Sequence, residues 1–192
     1  MKHLFKLCLA LICCQPAMAQ QKKERELHYT SSLQQMITVY QGNIFVNGKK
    51  TFTFSRDSIN YSSKRNRLIE DGRSVFLFLE INDRPNKNKL CVFNVENSHA
   101  DSILTAISSD VKDWDHDGNL EFGGSEQTPA YPSHDSMYYV ASRFYEIKKG
   151  KLTYDAELTE ATDKKVNGVF LTEPMDSNGK PKVIAVGKGK KR

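Results

Sequence analysis

The sequence predicts a mainly β fold of short antiparallel strands, β-propeller-like or sandwich, with at most one or two short helices. Three observations carry this. Phe52 and Phe54 alternate with Thr51, Thr53 and Ser55, the period of two that puts one strand face inward. Asn47-Gly48, between Ile44–Val46 and that stretch, is a strong hairpin-turn signal. Val75–Leu79 is a continuous apolar run stopped near Asn82-Asp83 and Pro85, which reads as a strand buried on both faces.

The elements follow in chain order. Met36–Tyr40 is β-branched and aromatic, so it reads as a strand, and Ile44–Val46 and 51–55 follow as strand signals on either side of the Asn47-Gly48 turn. Val75–Leu79, Leu90–Val95 and Ile103–Ile107 continue the series, and Leu120–Phe122 reads as a further strand. Phe144–Ile147 and Leu152–Tyr154 flank Lys148–Lys151, with Gly150 at the turn of that hairpin. Helix formers with loose apolar spacing place one short helix in Ala156–Lys165. Val166–Leu171 and Val183–Val186 are the last expected strands. At 192 residues and 39% hydrophobic content the chain can bury one real core, and its charged and aromatic content excludes wholesale disorder.

Residues 1–19 read as a secretory signal peptide. Lys2, His3 and Lys6 form a positive end, Leu7–Cys14 is an apolar run too short to span a bilayer, and Ala17-Met18-Ala19 gives the small-x-small cleavage pattern. The mature chain is then expected to begin at Gln20, in the periplasm or outside the cell, with no transmembrane segment. Lipidation at Cys14 is a minor alternative, since Leu11-Ile12-Cys13 fits such signals poorly. Residues 20–30 are expected to be a flexible leader, 31–187 the β domain and 188–192 a basic tail. Cys8, Cys13 and Cys14 lie in the signal, so the mature chain keeps only Cys91 and forms no internal disulfide. The formal net charge of +5 comes from the two ends. The body between them is close to neutral, which argues against nucleic-acid binding.

The densest chemical signal is Asp113-Trp114-Asp115-His116-Asp117-Gly118-Asn119-Leu120-Glu121. Carboxylate side chains occur at positions one, three, five and nine, with glycine at six to permit a sharp turn. Carboxylates this close repel one another unless a cation lies between them, and a hard cation such as Ca²⁺ takes six to eight oxygens. The expected metal ligands are Asp113, Asp115, Asp117, Asn119 (through its backbone carbonyl) and Glu121. His116 and Trp114 are read as outward spacers. The role expected of the ion is structural.

The stretch resembles the calcium loops of FG-GAP and VCBS repeats in integrin-type β-propellers, whose pattern is Asp-x-Asp-x-Asp-Gly-x-x-Asp between two strands of one blade. The likeness covers about 20 residues around Asp113–Glu121, with Glu121 in place of the last aspartate. It resembles an EF-hand less, because position twelve is Gly124 rather than glutamate and the flanks read as strands. The resemblance implies a calcium site within a β blade.

No catalytic constellation is legible. Ser133-His134-Asp135-Ser136 holds the residue types of a hydrolase triad, but sequence neighbours do not converge in triad geometry. Glu146, Glu157, Glu160 and Glu173 are candidates for a glycosidase acid–base pair, with nothing to set their separation. Tyr131, Tyr138, Tyr139, Phe144, Tyr145 and Tyr154 follow the acidic loop, either as core or as a sugar-stacking surface. The function expected is a secreted or periplasmic, non-enzymatic calcium-binding domain whose partner is a protein or a cell-surface glycan. The alternative is a small secreted hydrolase of polysaccharide or peptidoglycan with a structural calcium ion.

Overall fold

A computed structural model describes residues 25–186. The signal segment, the first part of the leader and the basic tail lie outside the described residues. The chain is mainly β, as expected. A first meander has strand order β1-β2-β3-β4, formed by β1 (Glu26–Thr30), β2 (Met36–Tyr40), β3 (Asn43–Val46) and β4 (Lys49–Thr53). A second repeats the plan with β5 (Arg67–Asp71), β6 (Ser74–Ile81), β7 (Lys89–Glu96) and β8 (His99–Ile107). The third sheet holds β9 (Leu120–Gly124), β11 (Arg143–Lys148) and β12 (Lys151–Asp155), in the order β12-β11-β9. A small ribbon pairs β10 (Ser136–Tyr138) with β13 (Val183–Ala185), and the one described helix is α1 (Ala156–Asn167). All pairings between these strands are antiparallel.

Two apolar clusters stack the three larger sheets. Ile37, Val39, Ile44 and Val46 of the first sheet meet Val75, Leu77, Leu79, Cys91, Phe93 and Val95 of the second. The other face of that second sheet supplies Phe76, Phe78, Leu90, Val92 and Ala106, which pack with Phe122 and Ile147 of the third. Successive residues of β6 therefore point into different clusters, which is why its apolar run has no polar alternation. Phe52 meets Phe93 edge-on at 4.8 Å between ring centroids, and Phe78 meets Phe122 at 5.1 Å. Each contact ties the middle sheet to one neighbour.

Two expectations are corrected. Glu26–Thr30, placed in the flexible leader, is strand β1, whose Leu27 and Tyr29 pack on the first cluster. Val166–Leu171, expected as a strand, includes the end of α1. The helix runs to Asn167 and stops at Gly168, which takes the left-handed conformation at φ +83° and donates its N–H to Lys164 O. The local apolar run favours a strand, but the helix started by Asp155 propagates through Val166. Asp155 caps it by accepting from the Leu158 N–H at 2.9 Å.

The buried stripe of α1 is polar. Thr159, Asp163 and Asn167 recur every four residues and face the segment from Tyr139 to Phe144. Asn167 accepts from Val140 N–H and donates to Val140 O, each at 2.9 Å. Asp163 accepts from Ser142 N–H and the Tyr139 hydroxyl, each at 2.8 Å, and Thr159 accepts from Phe144 N–H at 3.1 Å. The helix thus supplies the hydrogen bonds that a neighbouring strand would give this segment.

Candidate metal centre

Strand β9 sets the site. Its Leu120 and Phe122 face the second cluster, so Glu121 between them points to the opposite face of the third sheet. Lys112 pairs with Glu121 as a short antiparallel bridge, with Lys112 N–H to Glu121 O at 3.1 Å and Glu121 N–H to Lys112 O at 2.9 Å. Residues 113–119 are therefore a tight loop between two paired segments, and the loop closes over that outer face. Gly118 turns it at φ +93°, and His116 also takes a left-handed conformation at φ +67°.

Asp113, Asp115, Asp117 and Glu121 each present a carboxylate oxygen, and these oxygens lie within 4.8 Å of one another. Most of the opposing oxygens are tied to the loop itself. Asp113 Oδ2 accepts from Gly118 N–H at 3.2 Å, Asp115 Oδ1 from Asp117 N–H at 3.2 Å, and Asp117 Oδ1 from Asn119 N–H at 2.8 Å. Glu121 Oε2 accepts from Trp114 N–H at 2.6 Å. The loop backbone thereby fixes each carboxylate through one oxygen. His116 stands outside this cluster.

Two oxygens lack partners. Glu121 is 1% exposed, and its Oε1 has no hydrogen-bond partner among the described residues. Asp113 Oδ1 is buried in the same condition. Unpaired buried carboxylate oxygens are costly, and two of them in one loop mark a place that a cation would satisfy. Burial pushes the Glu121 carboxyl up to about 6, helped by the charges of Asp115, Asp117 and Asp113 and opposed by the Trp114 N–H. Burial also raises Asp155, against its Leu158 hydrogen bond, and Asp115, Glu146 and Asp117 add to the rise. The negative field thus extends across the sheet face to the start of α1.

The neighbouring strand adds residues that sequence reading did not connect to the loop. Glu146 of β11 stands directly across from Glu121. Like charges placed directly opposite in a sheet destabilise it. Here Glu146 accepts from Lys148 Nζ at 3.1 Å, Thr153 Oγ1 at 3.1 Å and Asn119 Nδ2 at 3.2 Å. Asn119, expected to offer its carbonyl, also binds Asp117 Oδ2 through Nδ2 at 2.7 Å. Lys148 Nζ reaches within 3.8 Å of Asp117 Oδ2. The Asn119 N–H holds the Asp117 carboxyl below its usual range against desolvation, and Lys148 assists. The sequence signal for Glu146 was its alternation with Tyr145 and Ile147, which sends it away from the core. Its register against Glu121 is a tertiary fact.

The other candidates are dispersed. His134 and Asp135 are 2.8 Å apart with side chains 87% and 95% exposed. Glu157 lies in the first turn of α1, Glu160 pairs with Lys164, and Glu173 lies 3.8 Å from Lys182. The aromatic set divides. Tyr139 and Phe144 are buried and Tyr145 packs on the second cluster, whereas Tyr131, Tyr138 and Tyr154 are exposed. Among the described residues no helix is long and apolar enough to cross a membrane. Comparison with known proteins finds no matching family model, no matching curated protein and no matching solved structure.

Proposed function

We propose that the chain is a secreted or periplasmic, non-enzymatic binding domain whose Asp113–Glu121 loop holds a structural Ca²⁺ ion, in the manner of an FG-GAP or VCBS loop. The observation that carries this reading is Glu121, whose Oε1 is buried without a partner and whose carboxylate is grouped with those of three aspartates. The donors are all oxygen, which suits a hard cation and not one that prefers thiolate or imidazole. Four carboxylates converging from one loop and the strand that follows it suit Ca²⁺ better than Mg²⁺, which keeps most of its water and takes few protein carboxylates. Asp113, Asp115, Asp117 and Glu121 would hold the ion. Bound there, it would neutralise their repulsion and satisfy the two buried oxygens. The backbone N–H groups of Trp114, Asp117, Gly118 and Asn119 orient the carboxylates beforehand.

The same loop faces a strand, so an ordered loop would fix the edge of the third sheet. The partner surface would be a protein or a glycan, and the exposed Tyr131 and Tyr138 support a polar–aromatic contact of that kind. Trp114, the one tryptophan of the chain, adjoins the loop's first ligand, which provides the test. Tb³⁺ added to the purified protein is expected to show luminescence excited through Trp114, and Ca²⁺ is expected to displace it. Absence of sensitised emission, together with no calcium effect on unfolding, would refute the reading.

A further inference from the structure

Lys148 of the β11–β12 hairpin is a cation set against this acidic face. Its Nζ lies 3.1 Å from Glu146 Oε2 and 3.8 Å from Asp117 Oδ2, so it bridges the strand and the loop. It lies two residues from Glu146 and therefore on the same sheet face as Glu121 and the loop carboxylates. Without a cation, that face places Glu146 opposite Glu121 with three aspartates above. The ammonium group offsets part of the repulsion, and Asn119 Nδ2 joins Glu146 to Asp117 in the same network.

We propose that Lys148 is a tethered counter-ion that competes with the divalent cation, so that it stabilises the metal-free loop and weakens cation binding. This inference rests on the calcium reading above and adds what sets its affinity. A divalent ion entering among Asp113, Asp115, Asp117 and Glu121 meets a fixed positive charge already in contact with Glu146 and close to one of those ligands. The ammonium repels an incoming cation in proportion to the ion's charge, which for calcium is two. Removing Lys148 also leaves Glu146 with an unneutralised charge facing the site. Both effects act in the same direction, so the expected gain in calcium affinity is about tenfold.

The test compares wild type, Lys148→Met, Lys148→Gln and Lys50→Met by calcium titration and by thermal unfolding in EDTA and in calcium. Lys50 lies in β4 of the first sheet, so its variant removes the same charge on the far side of the middle sheet. Both Lys148 variants are expected to melt lower than wild type in EDTA, to bind Ca²⁺ about tenfold more tightly, and to gain more thermal stability from calcium. The gain for Tb³⁺ is expected to exceed the gain for Ca²⁺, because repulsion scales with ion charge. Lys50→Met is expected to change affinity by less than about twofold, as a distant screened charge. Wild-type binding with unchanged or weaker binding by both Lys148 variants would overturn the inference and leave the calcium reading standing. Equal tightening in Lys50→Met would also overturn it, by tracing the effect to net charge. No binding by wild type and either Lys148 variant would overturn both.

Discussion

Glu121 and Glu80 are both nearly inaccessible carboxylates, and their surroundings give them opposite behaviour. Glu80 of β6 is 3% exposed. Burial alone would raise its pKa, but hydrogen bonds from Ser108, Ser63, Arg65 and Asn60 outweigh it and hold the carboxyl down at about 2. Arg65 and Asn60 each donate at 3.0 Å. The folded value is depressed, so the stabilisation is fully present above the ordinary value of 4.5 and is lost as pH falls from there toward about 2. Its size is about 3 kcal/mol by linkage. Urea unfolding of wild type and Glu80→Gln between pH 7 and pH 2.5 is expected to give stabilities that converge toward the acid end. Parallel curves would deny Glu80 that role. Glu121 has the reverse problem, a desolvated charge with one oxygen unsatisfied. Glu121→Gln is expected to melt at or above the wild-type temperature in EDTA and to lose the calcium response, as read by differential scanning calorimetry. A variant that retained the response would remove Glu121 from the ligand set.

At the level of elements, α1 shows a limit of pattern reading. Its buried residues are Thr159, Asp163 and Asn167, and no apolar stripe marks the face that packs. The helix was legible through its formers, whereas its end at Gly168 and its partner segment were not. Asn167→Ala is expected to cost about 1–3 kcal/mol in chemical denaturation, because it strands both backbone groups of Val140 in a buried setting. A cost near zero would mean that water replaces the side chain. The strands divide in the same way. Met36–Tyr40 was legible from its β-branched and aromatic residues, and Val75–Leu79 from the continuous apolar run that burial on both faces dictates. Strand β5, Arg67–Asp71, was not, since charged residues flank its two apolar ones and its place comes from pairing with β6. The loop carboxylates were legible from spacing alone. Glu146 and Lys148 were not, because strand register brings them to the loop from a distant part of the chain.

Over the whole molecule, the middle sheet is the layer on which the others depend. It is covered on both faces, and Phe78, fully buried, joins it to the third sheet through Phe122. Phe78→Ala is expected to destabilise the protein by about 3–5 kcal/mol, the usual range for a large aromatic deleted from a core. The cavity would lie in the apolar layer behind β9, so the variant is also expected to need more calcium for a given thermal shift. Equilibrium denaturation measures the first effect and a calcium titration the second. Stacked antiparallel sheets of this kind are common to sandwiches and to successive propeller blades. The acidic loop closes the outer face of the last of them, where no further sheet supplies an apolar cover among the described residues.

The most direct measurement is thermal unfolding of the purified protein in EDTA and across a calcium titration, with Asp115→Ala alongside. For a Kd in the extracellular range, millimolar calcium stabilises by about 1 kcal/mol, or roughly 2–4 °C in a chain of this size. The wild-type midpoint is expected to rise by that amount at millimolar calcium and to go on rising with the logarithm of calcium above Kd, while Asp115→Ala stays flat. A wild-type midpoint unmoved at several millimolar calcium, or an equal rise in Asp115→Ala, would contradict a calcium ion held by the Asp113–Glu121 loop.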